Sequence, residues 1–225
     1  MKTRDYKLNL WKEFMEHTEY VLQRDRETMG RIAGTYVDDV SFLMRIYEAY
    51  VEKERFIEDE EHSVRYERDG EDYILALERR ECVFSKENFR KVIVSMLDLL
   101  EDTLPLGSVV DLKKLAYKNV PEASEVEHIR MVITYRFLGK EEDSHYFPYA
   151  GVVYPTGMLG RKEVLYFTRP LVEKVVREGY RDEQEDAYVY LMKKELVIEK
   201  GKNSFGYATK EEIEAFNAQV KRRDA

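Results

Sequence analysis

The apolar positions of this chain alternate between a helical and a strand period. Trp11, Phe14, Met15, Thr18, Val21 and Leu22 recur at steps of three and four, with Lys12, Glu13, Glu16 and Glu19 on the other side. That spacing predicts an amphipathic helix. Gly30 and Gly34 interrupt it, and Tyr36, Val37, Val40, Leu43, Met44, Tyr47, Tyr50 and Val51 predict a second helix, so the N-terminus reads as a helical hairpin. The acidic run Glu58-Asp59-Glu60-Glu61 predicts a solvated loop. The period then drops to two: Val64 and Tyr66, followed by Tyr73, Leu75 and Leu77, flank Asp69-Gly70 and predict a β-hairpin near 64–79. Ser85 caps a further predicted helix whose apolar face holds Phe89, Val92, Ile93, Met96, Leu97, Leu99 and Leu100, and which stops before Pro105.

From Pro105 the pattern is mainly that of strands. Ser108–Leu112, Ile129–Leu138, Tyr146–Tyr154 and Val164–Phe167 predict an antiparallel meander, with Gly139–Ser144 as a polar turn. Thr168 and Pro170 predict a helix start, carried on by Leu171, Val172, Val175 and Val176 to Gly179. Asp182–Val197 predicts another helix, and Thr209-Lys-Glu-Glu212 is a capping box opening a last one with Ile213, Phe216 and Val220. The predicted fold class is α+β: an N-terminal helical hairpin with a small β-hairpin and helix, then a C-terminal antiparallel β-meander packed by helices. The corresponding modules are residues 1–103 and 104–225.

Composition narrows the function classes. The 225 residues are 44% hydrophobic and 36% charged, with net charge −8 and a single cysteine. Charge at that level exceeds the roughly 25% usual for soluble chains and predicts a heavily solvated surface. Net acidity argues against nucleic acid or anionic membrane as the partner. No stretch approaches the roughly 20 apolar residues of a membrane span. Met1–Leu10 lacks the apolar run of a secretory signal, so the expected compartment is the cytoplasm. The acidity is one-sided: residues 1–104 carry 17 basic and 25 acidic side chains, residues 105–225 carry 20 of each.

Catalytic signatures do not emerge. There is no Gly-x-Ser-x-Gly, no phosphate-binding loop and no His-x-x-x-His. Cys82 reads as a structural thiol. His128 and His145 flank two predicted strands, where they read as polar end residues rather than as metal ligands. Glu141-Glu142-Asp143 and Asp182-Glu183 read as solvated turns. The expectation is therefore no catalytic residue, no cofactor and no metal. Aromatics are more informative. Tyr146, Pro148, Ala150, Val152 and Tyr154 share one face of a strand, and Phe147, Tyr149, Gly151 and Val153 the other. Such a strand is either packed on both sides or part of an aromatic protein-binding surface. The partner-binding candidates are Tyr146, Tyr149 and Tyr154, with Glu58, Asp59, Glu60 and Glu61 for a basic partner.

Five motifs in order resemble a known family: Leu104-Pro-Leu-Gly-Ser-Val-Val110, Met131-Val-Ile133, Tyr149-Ala-Gly-Val-Val-Tyr-Pro-Thr-Gly157, Tyr166-Phe167 and Val175-Val-Arg-Glu-Gly-Tyr180. The series is similar to an uncharacterised family of small Gram-positive bacterial proteins, a domain of unknown function, over about residues 104–185. The charged insertion Leu115–His128 departs from its pattern. That family accompanies type VII secretion loci and their LXG toxins. The resemblance implies a cytoplasmic chaperone or targeting adaptor that binds an LXG-type toxin, and it implies no catalytic residues. An immunity protein neutralising such a toxin, or an enzyme of the same locus, are the alternatives. Tyr50-Val-Glu-Lys-Glu54 fits one motif of secreted type VII helical hairpins, but Trp11 is followed by Lys12-Glu13 and gives no Trp-x-Gly. In a chain this rich in Tyr and Glu the match is that of chance. The oligomeric state is left open.

Overall fold

The computed structural model describes residues 3–114, 128–159 and 164–223. Most of the Leu115–His128 insertion and the side chains of Val220 and the Lys221–Arg223 tail lie outside the described residues. The fold is α+β, with N-terminal helices, a small antiparallel sheet and a larger C-terminal sheet with helices. It divides into two compact units: Met1–Asp102 with Asp186–Gly201, and Thr103–Glu185 with Lys202–Ala225.

The first unit opens with α1 (Thr3–His17), α2 (Arg26–Tyr36) and α3 (Ser41–Glu52). Three helices stand where the spacing predicts two. Gly30 and Gly34 do not break the chain but lie inside α2, because Met29, Ile32, Ala33 and Tyr36 still bury one face of it. A four-stranded antiparallel sheet follows: β1 (Phe56–Asp59), β2 (Val64–Asp69), β3 (Asp72–Leu77) and β4 (Arg80–Phe84). The predicted hairpin is its centre, with Tyr66 opposite Leu75 and Val64 opposite Leu77. Helix α4 (Lys86–Leu100) covers it, and Ser85 Oγ accepts the Asn88 N–H as its cap. Phe89 meets Tyr50, Tyr66, Tyr73 and Phe84 at ring separations of 5.3–6.1 Å, so Tyr50 is a packing residue.

The second unit is built on a six-stranded sheet. Its strands are β5 (Val109–Leu112), β6 (Ile129–Leu138), β7 (His145–Val153), β8 (Leu165–Phe167), β9 (Val172–Arg177) and β10 (Asn203–Ser204). The order is β10-β7-β6-β5-β9, with β8 also on β7. Strands β5 to β8 form the meander. The predicted helix after Thr168 is instead one 3₁₀ turn and then strand β9, which pairs antiparallel with β5. Valines at 172, 175 and 176 favour extended backbone, and the open edge of β5 supplies the hydrogen bonds. Val110, Met131, Ile133, Tyr149 and Phe167 form the core of one face. Helix α5 (Glu183–Lys193) and a π-helical turn (Lys194–Glu199), which belong to the first unit from residue 186 on, precede β10 and α6 (Lys210–Arg223) in the chain.

The motif series has visible structural work. Pro105–Ser108 is a β-turn closed by Ser108 N–H on Pro105 C=O at 3.2 Å, with Gly107 at φ +80 as its third residue, as a type II turn requires. Gly179 lies flat against that turn and donates its N–H to Ser108 Oγ at 3.0 Å; a methyl group there overlaps Leu106 C=O. Gly151 sits against Val132 and Ile133 beside the irregular register of β6. The entering segment is held by three side chains. Arg181 donates to Thr103 C=O, Tyr149 OH accepts the Leu104 N–H, and Arg136 donates to Leu104 C=O. Glu185 in turn grips Arg136 with both carboxylate oxygens.

Candidate functional site

In the second unit a cleft of about 220 Å³ opens between the 139–144 loop, β7, Phe205 in the turn after β10, and α6. It is assembled from three local patterns. His145 and Phe147 project to one side of β7 because strand side chains repeat every second residue. Parallel pairing of Asn203 with His145 and Ser204 with Tyr146 then delivers Phe205 beside Phe147, their rings stacked 4.6 Å apart. The capping box starts α6: Thr209 N–H donates to Glu212 Oε2 at 2.6 Å and Glu212 N–H to Thr209 Oγ1 at 3.2 Å. Phe216, one turn on, closes on Phe205 and Phe147 at 4.9 and 5.6 Å.

The rim is acidic. Glu142, Asp143 and Glu212 line the cleft with His145 and Ser144, and among the described residues no lysine or arginine does. His145 Nε2 lies 3.5 Å from Glu212 Oε2, and its Nδ1 lies 2.9 Å from Ser144 Oγ. Asp143 accepts the Lys140 N–H at 3.0 Å. Lys202 is buried behind this loop and spends its ammonium on Lys140 C=O and Glu141 C=O.

The sequence-derived candidates fall in different places. Tyr146 and Tyr149 are 3% and 2% exposed, on opposite faces of β7, so both rings are core rather than binding surface. Tyr154, 54% exposed, is at the surface. Glu58, Glu60 and Glu61 are exposed around the β1–β2 turn. Asp59 is not free: it accepts from Tyr36 OH and contacts His62 Nδ1, each at 2.8 Å. Burial opposes its charge, but those bonds outweigh it and hold the carboxyl below its usual range, while Tyr36 is pushed up. His128 and His145 do not face one another, because antiparallel register puts Leu138 opposite Phe147 and leaves His128 at the other end, near Asp111. Among the described residues no group of three His, Cys, Asp or Glu side chains could hold a metal ion. Burial, aided by Asp25, pushes the Cys82 thiol up to about 12, so it is not a thiolate nucleophile at neutral pH.

The first unit has a separate apolar groove of about 450 Å³ between α1 and α2, lined by Leu8, Trp11, Met15 and Gly30 with charged residues at its edge.

Residues 103–188 match the sequence model of a family described as a domain of unknown function (DUF4176). No curated protein and no solved structure matches the chain. The matched stretch carries the turn, the clamp and the meander. It also carries the Gly139–Phe147 half of the cleft; Phe205, Glu212 and Phe216 lie beyond it. Among the described residues no helix is long and apolar enough to cross a membrane.

Proposed function

We propose that the chain is a cytoplasmic chaperone or targeting adaptor that binds an LXG-type toxin for type VII secretion. The ordered motif series between Leu104 and Tyr180 supports this reading, through the family resemblance it carries. Those motif residues serve turns and close backbone contacts, as in Gly107, Gly151 and Gly179, which is what a binding scaffold requires. The acidity of residues 1–104 suits a basic partner.

The test is co-expression with an LXG toxin of the same locus. The toxin is expected to co-purify with the folded protein, and its export to fall when the gene is deleted. A toxin that is neither retained nor affected in export overturns the proposal. Protection of cells that express the toxin internally assigns the immunity role instead.

A further inference from the structure

We propose that the cleft between the 139–144 loop, β7, the Phe205 turn and α6 is a receptor for one arginine side chain of a protein partner. The inference rests on the partner-binding reading above and names the chemical group that the second unit takes.

Size comes first. At about 220 Å³ the cleft lies below the roughly 300–1,000 Å³ of ordinary small-molecule pockets and suits a single long side chain. Its walls include the half-buried rings of Phe147, Phe205 and Phe216, and aromatic rings attract cations and suit a flat guanidinium. Its rim offers three carboxylates, Glu142, Asp143 and Glu212, and among the described residues no competing lysine or arginine. Lys202, buried behind the 139–144 loop, is committed to two backbone carbonyls.

The carboxylates are also differently prepared. Glu212 is fixed by its own capping box and by His145, and Asp143 by the Lys140 N–H, while Glu142 stands exposed where it can swing over a ligand. An oriented carboxylate beside aromatic faces distinguishes guanidinium from ammonium, because only the former is planar and donates in pairs.

The probe is N-acetyl-arginine amide, titrated into the whole chain and followed by NMR of the His145 and phenylalanine ring protons. Saturable shifts in roughly the millimolar range are expected for one side chain. The neutral isostere N-acetyl-citrulline amide is expected to give none, and the lysine and tetramethylammonium probes to bind less tightly. Glu142→Gln and Glu212→Gln are each expected to weaken the arginine probe about tenfold, the loss of one charge-assisted bond. Glutamine serves in a capping box as glutamate does, so E212Q keeps α6; unchanged circular dichroism verifies it. Absence of saturable shifts in the folded protein, or equal binding of citrulline, tetramethylammonium or lysine, overturns the proposal. A toxin that co-purifies although the probe fails sinks the arginine site and leaves the adaptor reading standing. A probe that binds although no toxin does keeps the arginine site and sinks the adaptor reading.

Discussion

A methyl group added at Gly179 runs into the backbone of Leu106 and Ser108, whereas one added at Gly30 meets nothing within 4 Å. The same substitution therefore has opposite expected outcomes. Gly179→Ala forces apart the turn that opens β5 and costs about 1–3 kcal/mol, as overpacking does. Gly30→Ala improves the propensity of α2 and adds up to about 1 kcal/mol. Urea unfolding of the two variants checks both. Glu185 is a third sensitive position. It holds the buried guanidinium of Arg136, so Glu185→Ala leaves a charge with its main counter-ion removed and costs about 3 kcal/mol. The double variant Arg136→Met with Glu185→Leu, measured in the same way, recovers much of that loss.

Elements are legible in the sequence where their determinants are local. Ile129–Leu138 is a strand over the range its β-branched and aromatic residues predict, and Ser85 caps α4 as its position before the apolar run implies. The capping box Thr209–Glu212 forms with both of its bonds. Thr209→Ala is expected to cost about 1 kcal/mol and to raise hydrogen exchange in the first turn of α6, while Glu212→Gln leaves that exchange unchanged. Segment 168–179 misleads because its Thr, Pro and Gly imitate helix ends; the free edge of β5, distant in sequence, decides the matter. The cleft shows the same division. The His145/Phe147 and Glu212/Phe216 pairs follow from strand and helix periods. Their meeting depends on two residues of parallel pairing between β10 and β7, which no local pattern encodes.

At the scale of the molecule, burial of ionisable groups gives a pH profile. Lys193 is buried with its ammonium on Leu99 C=O and Glu101 C=O, 3.3 and 2.5 Å away. Desolvation, with the charge of Lys7 adding, lowers its pKa from 10.5 to about 8. Between those values the unfolded chain binds more protons than the folded one, so stability rises with pH by at most about 1.4 kcal/mol per unit. Tyr36 and Tyr66 act oppositely. Burial raises both, Tyr66 to about 12, and raises the Cys82 thiol likewise, so above the unfolded values of 10.0 and 9.0 the fold keeps protons that the unfolded chain loses, and stability falls. Thermal melts are expected to peak at about pH 9 to 10 for these reasons, and Lys193→Met to flatten the rising limb.

The division of the chain fixes an order of synthesis. Residues 186–201, including Lys193, complete the first unit, yet they leave the ribosome after the whole of 103–185. Helices α1 to α4 must therefore wait, with the carbonyl end of α4 unfilled, while β5 to β9 are made. A ribosome stalled before residue 186 carries an incomplete first unit, and a gene cut at codon 103 encodes one that never acquires its last helix.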